Sequence, residues 1–189
     1  MKVRLPLNTK FSAELISMSS VKSIIPIGSW WEFEQWRNGK LIDQWANKNV
    51  NTTEGLSHML NAIFHGSTQI TTWYIGLFEN DYTPTIADTY AVPGFTESSA
   101  YTAGIRQEFV EASASILVTT NTASKASFTI NDTKTVYGAF LCGGGSNPTV
   151  ISNTAGGGVL FASSKFTTPK SVVSTDVLMV SCSITLADV

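Results

Sequence analysis

The clearest hydrophobic pattern in the chain is a stripe of apolar residues at helical spacing. The stripe consists of Leu56, Met59, Leu60, Ile63 and Phe64. This i, i+3, i+4, i+7, i+8 arrangement is typical of an amphipathic helix. Asn51 or Thr53 can cap its first turn, and Glu54 places a negative charge at the positive end of the helix dipole. Gly66 is a C-terminal stop, so the pattern predicts a helix over about residues 54–65.

A short, dense apolar segment follows this helix. Trp73 to Phe78 combines aromatic and aliphatic residues, which favour a pleated, half-buried strand. Gly76 interrupts the run and indicates a bulge or a close backbone approach. We expect the apolar stripe of the helix to cover the sheet that contains this strand.

Two apolar segments before the helix predict a β-hairpin. Trp30 to Arg37 and Lys40 to Ala46 flank Asn38-Gly39, the pair best suited to a type I′ turn because both central residues need a positive φ. With that loop, one face should carry Trp31, Phe33, Ile42 and Ala46. The other should carry Trp30, Trp36, Leu41 and Trp45 with Glu32, Glu34 and Asp43. Large apolar groups on both faces indicate a ribbon covered on two sides, by its own domain or by a neighbouring chain.

The chain after Arg106 shows successive strand patterns separated by turn-prone segments. The predicted strands are Phe109 to Val118, Ala126 to Ile130, Thr135 to Cys142, Val159 to Ala162 and Val177 to Leu186. With the hairpin and the Trp73 strand, the total is about eight, the number expected of a sandwich or jelly roll. The sequence therefore predicts a mainly β protein, a β-sandwich or jelly-roll-like fold with one amphipathic helix.

The N-terminal residues show no sustained period. Residues 1–28 contain Pro6 and Pro26, which predicts an extended arm ahead of a β-sandwich domain at residues 29–189. A disordered terminus is the alternative. The apolar content favours a docking arm, because these side chains would be wasted on a solvated tail. They are Leu5, Leu7, Phe11, Leu15, Ile16, Ile24, Ile25 and Ile27.

A long connection follows the Trp73 strand. The residues from Glu79 to Ala103 include Pro84, Pro93 and many small polar side chains. A connection of this length in a compact domain is usually functional or disordered. It is therefore a predicted contact surface.

Composition argues against several function classes. The chain has 189 residues, of which 14% are charged, and its net charge is −2. Its 12 Lys and Arg residues are scattered, which argues against direct nucleic-acid binding. Polar residues break the segment after the basic N-terminus, so no signal peptide is predicted, and no run approaches the roughly 20 apolar residues of a membrane span. Cys142 and Cys182 fall in apolar strand patterns, so we expect buried thiols and not a disulfide.

The two histidines do not predict a metal site. His58 and His65 lie seven positions apart on the predicted helix, opposite its apolar stripe. Seven residues rise about 10.5 Å, whereas two ligands of one zinc ion each lie about 2.1 Å from it. We expect a solvated helix face here.

The acidic residues are candidates for two kinds of chemistry. Glu32, Glu34 and Asp43 lie near two tryptophans, as in a sugar platform with an acid pair. Alternate acidic residues are more typical of a solvated strand face that discourages edge pairing. A calcium site could use Glu79, Asp81 and Asp88, but their spacing lacks the D-x-[DN]-x-[DN]-G pattern. No nucleophile elbow or phosphate-binding motif is present either, so we expect no enzyme activity, no cofactor and no metal.

Several segments of the chain carry a family resemblance. They are N-V-N-T-T-E-G-L-x-x-x-L-x-x-x-F at 49–64, T-W-Y-I-G-L-F at 72–78, G-F-T-E at 94–97, T-V-Y-G-A-F-L at 135–141 and S-V-V-S-T-D-V-L-M-V at 171–180. Over roughly Trp31 to Leu186 the chain resembles a family of small structural-module proteins of tailed bacteriophages. The matched residues are scaffold signals, so no active site is carried over.

The resemblance implies a non-enzymatic virion component, above all a capsid decoration or cement protein; several of these in short-tailed phages are jelly-roll-like. Such a protein is made in the bacterial host cytoplasm, lies on the capsid surface, binds across subunits of the phage major capsid protein and forms a homo-oligomer, a dimer or trimer. A tail or fibre-associated glycan-binding protein is the alternative, and a glycan hydrolase is a third. The candidate partner contacts are Leu5, Leu7, Phe11, Ile24, Ile25, Ile27, Trp30, Trp36, Trp45, Tyr82, Tyr90 and Phe95.

Overall fold

The computed structural model describes residues 26–187. In this part of the chain there are ten strands, one α-helix and a short 3₁₀ turn at Thr122–Ser124. The strands are β1 (Ile27–Arg37), β2 (Lys40–Lys48), β3 (Val50–Asn51), β4 (Trp73–Phe78), β5 (Gln107–Glu108), β6 (Val118–Thr120), β7 (Ala126–Thr129), β8 (Lys134–Gly143), β9 (Val159–Val172) and β10 (Val177–Leu186), and the helix is α1 (Thr53–Phe64). The prediction of a mainly β fold with one helix is confirmed.

The strands form two antiparallel sheets that pack as a sandwich. The first has the order β2-β1-β10-β6, with β7 also pairing with β10, and the second has the order β3-β9-β8-β4-β5. The main core lies between the sheets. Phe33 of β1 meets Phe166 of β9 at a centroid distance of 4.6 Å, and Trp45 of β2 meets the same ring at 5.1 Å. Aromatic contacts therefore join the two layers.

The long connection after β4 covers the other face of the second sheet. Side chains alternate along a strand, so Leu77 and Leu141 face the main core while Phe78 and Phe140 face outward. Tyr90 and Phe95 pack on those outward side chains, and Ser98 N–H donates to the Leu77 carbonyl at 2.8 Å. Residues 79–103 therefore cover a second core, which the sequence did not predict, while their exposed side chains stay a predicted contact surface.

The hairpin forms as predicted, but its register differs. Asn38 and Gly39 have φ values of 50° and 74°, as a primed turn requires. Trp36 pairs with Leu41 but Gln35 pairs with Asp43, so Ile42 is an extra, bulged residue. A shift of one residue exchanges the faces of a strand.

The predicted faces of β2 are therefore wrong from Ile42 onward, whereas Leu41 pairs with Trp36 and keeps its predicted face. Trp45 pairs with Phe33 and packs in the core, and the two rings stack at a centroid distance of 5.4 Å. Ile42 is 47% exposed, and Ala46 is also exposed. The assignment of β1 holds, because Trp31 and Phe33 are buried while Trp30 is 43% exposed.

The helix begins and packs differently from the prediction. Its N-cap is Thr52, whose side chain accepts a hydrogen bond from Gly55 N–H, and not Asn51 or Thr53. Gly55 is the one buried helix residue, and a Cβ atom at this position would lie 2.6 Å from the Phe161 Cα. The helix therefore approaches β9 through a glycine. Leu56 and Met59 are half-buried, but the sheet does not cover the rest of the apolar stripe. Three of its residues are exposed: Leu60 (52%), Ile63 (64%) and Phe64 (80%).

Several smaller predictions can be settled. Gly76 makes a close approach, since a Cβ atom there would lie 2.3 Å from the Phe140 ring. Val159–Val172 is far longer than predicted, and residues 109–117 are not a strand.

Cys142 and Cys182 are buried free thiols, as expected. Residues 1–25 of the predicted arm lie outside the described residues. Ile27, which was predicted to belong to the arm, is part of β1 and pairs with Leu186.

Candidate docking surfaces

The acidic side chains of the hairpin do not form one cluster. Glu34 and Glu32 alternate with the buried β1 residues, whereas Asp43 pairs with buried Gln35 and so lies on the opposite face. Glu34 forms an ion pair with Lys125 at 2.6 Å, and this contact, with the indole N–H of Trp36, lowers the pKa of Glu34. Asp43 forms an ion pair with Lys170 at 2.7 Å. The expectation that all three acids share a face is therefore wrong.

The acidic side chains of the long connection also have separate partners. Asp81 forms an ion pair with Lys165 at 2.6 Å. Asp88 accepts hydrogen bonds from the hydroxyls of Tyr82 and Thr85, and the contact raises the pKa of Tyr82. Within residues 26–187, no three His, Cys, Asp or Glu side chains lie close enough to hold a metal ion.

The two histidines do not share an environment. His65 is exposed, as expected for a solvated face. His58 is half-buried, and its ring meets that of Trp73 at a centroid distance of 6.1 Å. The prediction that His58 faces solvent is wrong, because the helix turns this side toward the second sheet.

A buried ion pair that the sequence did not predict links the connection between β4 and β5 to the connection between β8 and β9. Arg106 donates to both carboxylate oxygens of Glu97 at 2.9 and 2.8 Å, and also to the Tyr90 hydroxyl and the Pro148 carbonyl. Glu97 accepts a further bond from Ser152 N–H at 2.7 Å. Burial disfavours the guanidinium charge, but the hydrogen bonds to Glu97 and Tyr90 and the attraction of nearby negative charge together outweigh it and raise the pKa of Arg106. Since both charges are satisfied internally, we assign this cluster a structural role.

One candidate docking surface is the hairpin edge, defined here as β2 and the adjoining side chain of Trp30. β2 is the last strand of the first sheet, and in the described part of the chain no strand pairs with its outer side. Exposed apolar groups accompany this edge: Trp30 (43%), Leu41 (44%) and Ile42 (47%). The candidate contacts Trp36 and Trp45 are half-buried, and Trp45 packs against the core.

A second candidate is the helix groove, an apolar depression of about 650 Å³ beside α1. Its floor contains Trp73, Leu141 and Phe161, which belong to the second sheet. Its walls come from separate elements and include Ile63, Leu117 and Leu186. These wall residues are 64%, 55% and 37% exposed. Exposed apolar surface of this kind is typical of interaction sites, so the groove is a candidate docking surface.

A turn with an unusual backbone forms part of the groove wall. Ser115 and Val118 bridge a tight turn, and its central residues Ile116 and Leu117 have φ values of 48° and 63°. Such turns favour Asn and Gly, and a positive φ is a genuine outlier for a β-branched residue. Ile116 is nevertheless 93% exposed. The turn thus accepts backbone strain while presenting two large apolar side chains, a combination found at functional sites.

The remaining candidate contacts divide between interior and exterior. Tyr90 and Phe95 are only 4% and 9% exposed, so they are core residues and not surface contacts. Tyr82 is half-buried, beside Phe95. The candidates Leu5, Leu7, Phe11, Ile24 and Ile25 lie outside the described residues.

Comparison with protein-family models and with curated proteins gives no match for this chain. In the described residues, α1 is too short to span a membrane.

Proposed function

We propose that this protein is a non-enzymatic structural component of a tailed-phage virion, a decoration or cement protein that binds across subunits of the major capsid protein. The observation that supports the proposal most is the hairpin edge. The sequence resemblance points to the same class of protein. We further propose that it acts as a dimer or trimer on the capsid surface.

The hairpin edge has the features that strand addition requires. β2 is nine residues long, and an edge strand presents unpaired backbone N–H and C=O groups to a partner. The bulge at Ile42 lies near the turn, so Asp43 to Lys48 keep a regular pairing with β1. Leu41 and Trp30 add apolar anchors at either end of the strand. On an icosahedral surface each such contact is repeated by symmetry, so a modest contact stabilises the whole shell.

The alternative of a glycan-binding tail or fibre protein has less support. That function would use aromatic rings on the long connection after β4. Tyr90 and Phe95 are instead buried against the second sheet. Tyr82 is half-buried beside Phe95, so of these three rings it alone offers a sugar part of its surface for stacking.

The location of the protein in the virion tests the proposal. Virions of the encoding phage can be dissociated into heads and tails, and the protein quantified in each fraction by mass spectrometry. We expect a fixed, stoichiometric amount in the head fraction. Enrichment in tails would favour the alternative, and absence from both fractions would contradict a virion role.

The hairpin edge can be tested with matched variants. Purified protein is added to heads that lack it, and binding is measured by co-sedimentation. Leu41→Asp places a charge on the hairpin edge, and Val92→Asp places one at an exposed apolar position outside it, where the side chain is 71% exposed against 44% for Leu41. Because one buried anchor typically contributes about 2 kcal/mol or more, we expect Leu41→Asp to weaken binding at least tenfold. Equal binding by the two variants would exclude the hairpin edge as the contact.

A further inference from the structure

We propose that the helix groove is the docking site for the N-terminal segment of the same chain, residues 5–25. The occupant is therefore a part of this protein and not a separate ligand. The inference concerns a contact within the isolated chain, so its failure would leave the proposed virion role untouched, and the reverse also holds.

The path of the chain supports this occupant. β1 begins at Ile27, which pairs with Leu186 of the groove wall. Ala187 N–H donates to the Pro26 carbonyl at 3.0 Å, and Leu186 N–H donates to the Leu117 carbonyl at 2.9 Å. Pro26, the first described residue, therefore lies beside one wall residue of the groove, Leu186, and Leu117 lies on the opposite side of β10. An extended chain advances about 3.3 Å per residue, so a few residues suffice to enter the groove.

The chemistry of the segment fits the groove. Ile24 and Ile25 immediately precede Pro26 in the sequence, and five further large apolar residues lie upstream. These are Leu5, Leu7, Phe11, Leu15 and Ile16. The groove offers exposed apolar walls, and Glu111 gives its rim an acidic group. Lys10 and Lys22 supply opposite charge in the segment.

Docking within one chain also has the lower entropic cost. A tethered segment meets its site at a high effective concentration, which is greatest when the linker just spans the distance. Here the segment is joined covalently to the sandwich at Pro26. In this proposal, the strained Ile116-Leu117 turn holds the Leu117 side chain in the groove wall, where the docked segment would contact it.

Limited proteolysis of the full chain tests the contact. Trypsin cuts after Lys10 and Lys22, and the rates are followed by mass spectrometry. Leu117→Asp makes the groove wall polar at a position whose positive φ Asp tolerates, and Val92→Asp is the matched control. Because a docked segment must open before it is cut, we expect cleavage at least about tenfold faster in Leu117→Asp than in the control. Equal rates would overturn the proposal.

Two further measurements keep the result unambiguous. If circular dichroism shows that Leu117→Asp does not fold, Ile63→Asp is used in its place. Ile63 also lines the groove and is 64% exposed on α1, so a charge there should be tolerated by the fold. In the reciprocal experiment, Ile25→Asp should increase hydrogen exchange in residues 109–118 of the full chain. An unchanged exchange rate there would count against docking in the groove.

Photo-crosslinking distinguishes docking within one chain from exchange between copies. A photoreactive residue replaces Leu117 in a 1:1 mixture of ¹⁴N- and ¹⁵N-labelled full-length protein. We expect crosslinks to residues 5–25 that join peptides of the same isotope only. Mixed-isotope crosslinks would overturn the same-chain assignment in favour of exchange between copies, and crosslinks to other segments would overturn the docking itself.

Discussion

Replacing Asp176 with Asn should destabilise the protein in a pH-dependent manner. The Asp176 side chain is fully buried in the turn before β10, where it accepts hydrogen bonds from the Arg37 guanidinium at 2.6 and 2.8 Å. Gln35 and the Val173 N–H donate to the same carboxylate. The Asp176 carbonyl accepts from Ile130 N–H at 2.8 Å. This one residue therefore joins the end of β1, the turn between β9 and β10, and the end of β7.

The size of the effect follows from the pKa of Asp176. The hydrogen bonds from Arg37 are the largest cause that lowers this pKa, from 3.8 to about 2. At about 1.4 kcal/mol per pKa unit, the lowered value corresponds to about 2 kcal/mol of folding free energy. Arg37 is 40% exposed, so solvent screening makes this figure an upper value.

The sign of the pH dependence is fixed by the direction of the shift. The folded state favours the carboxylate, so the stabilisation is complete above the unfolded pKa. It is lost as pH falls toward the folded value of about 2. Asn cannot ionise, so the difference between wild type and Asp176→Asn should be about 2 kcal/mol at pH 7 and about half of that at pH 3.

Urea unfolding followed by circular dichroism at pH 7, 5, 4 and 3 measures this difference. Asp132→Asn is the control, because Asp132 is exposed and bonds only to the adjacent Thr133 N–H. We expect the control to track wild type at every pH. A difference for Asp176→Asn that is near zero at pH 7, or that stays constant down to pH 3, would refute the reasoning.

Three further predictions follow from buried contacts. Gly55→Ala should cost about 1–3 kcal/mol in urea unfolding despite a better helix propensity, whereas Gly28→Ala, which has open space, should cost little. Glu97→Gln should lower stability by about 3–5 kcal/mol because it leaves a buried guanidinium unbalanced; a loss under about 1 kcal/mol would contradict this. Burial raises the pKa of Cys142 to about 12 and also raises that of Cys182, so iodoacetamide should modify both thiols in urea and neither thiol in the native protein, as measured by mass spectrometry.

The strands were predictable wherever local chemistry decides the structure. Asn38-Gly39 favours a primed turn in almost any context, and the apolar runs at Trp73 and Val177 produce strands. The bulge at Ile42 was not predictable, since it depends on Trp45 reaching Phe33 and Phe166 across the sandwich. Packing between the two sheets favours the register that buries Trp45, and the extra residue Ile42 shifts β2 into that register. A sequence pattern records the period of a strand but not an insertion within it.

The buried polar residues were hidden from the sequence for a related reason. Glu97 and Arg106 lie nine positions apart on an irregular connection, where no periodicity links them. Their pairing depends on how that connection folds over the second sheet. The G-F-T-E segment places Glu97 two positions after Phe95, which would put both side chains on one face of an extended chain. No local feature of the sequence distinguishes a buried glutamate there from a solvated one.

The helix shows how a correct local prediction can lead to a wrong conclusion about packing. Its apolar stripe exists, yet the helix turns Gly55 and His58 toward the sheet and leaves Ile63 and Phe64 exposed. Periodicity identifies a face that avoids water but does not identify what covers it. Gly55 decides the matter, because the close approach to Phe161 is possible only on the side of the helix that lacks a Cβ atom. Two residues of the stripe, Met59 and Ile63, line the helix groove, so part of the hydrophobic pattern that seemed to define the interior belongs instead to the docking surface that we propose.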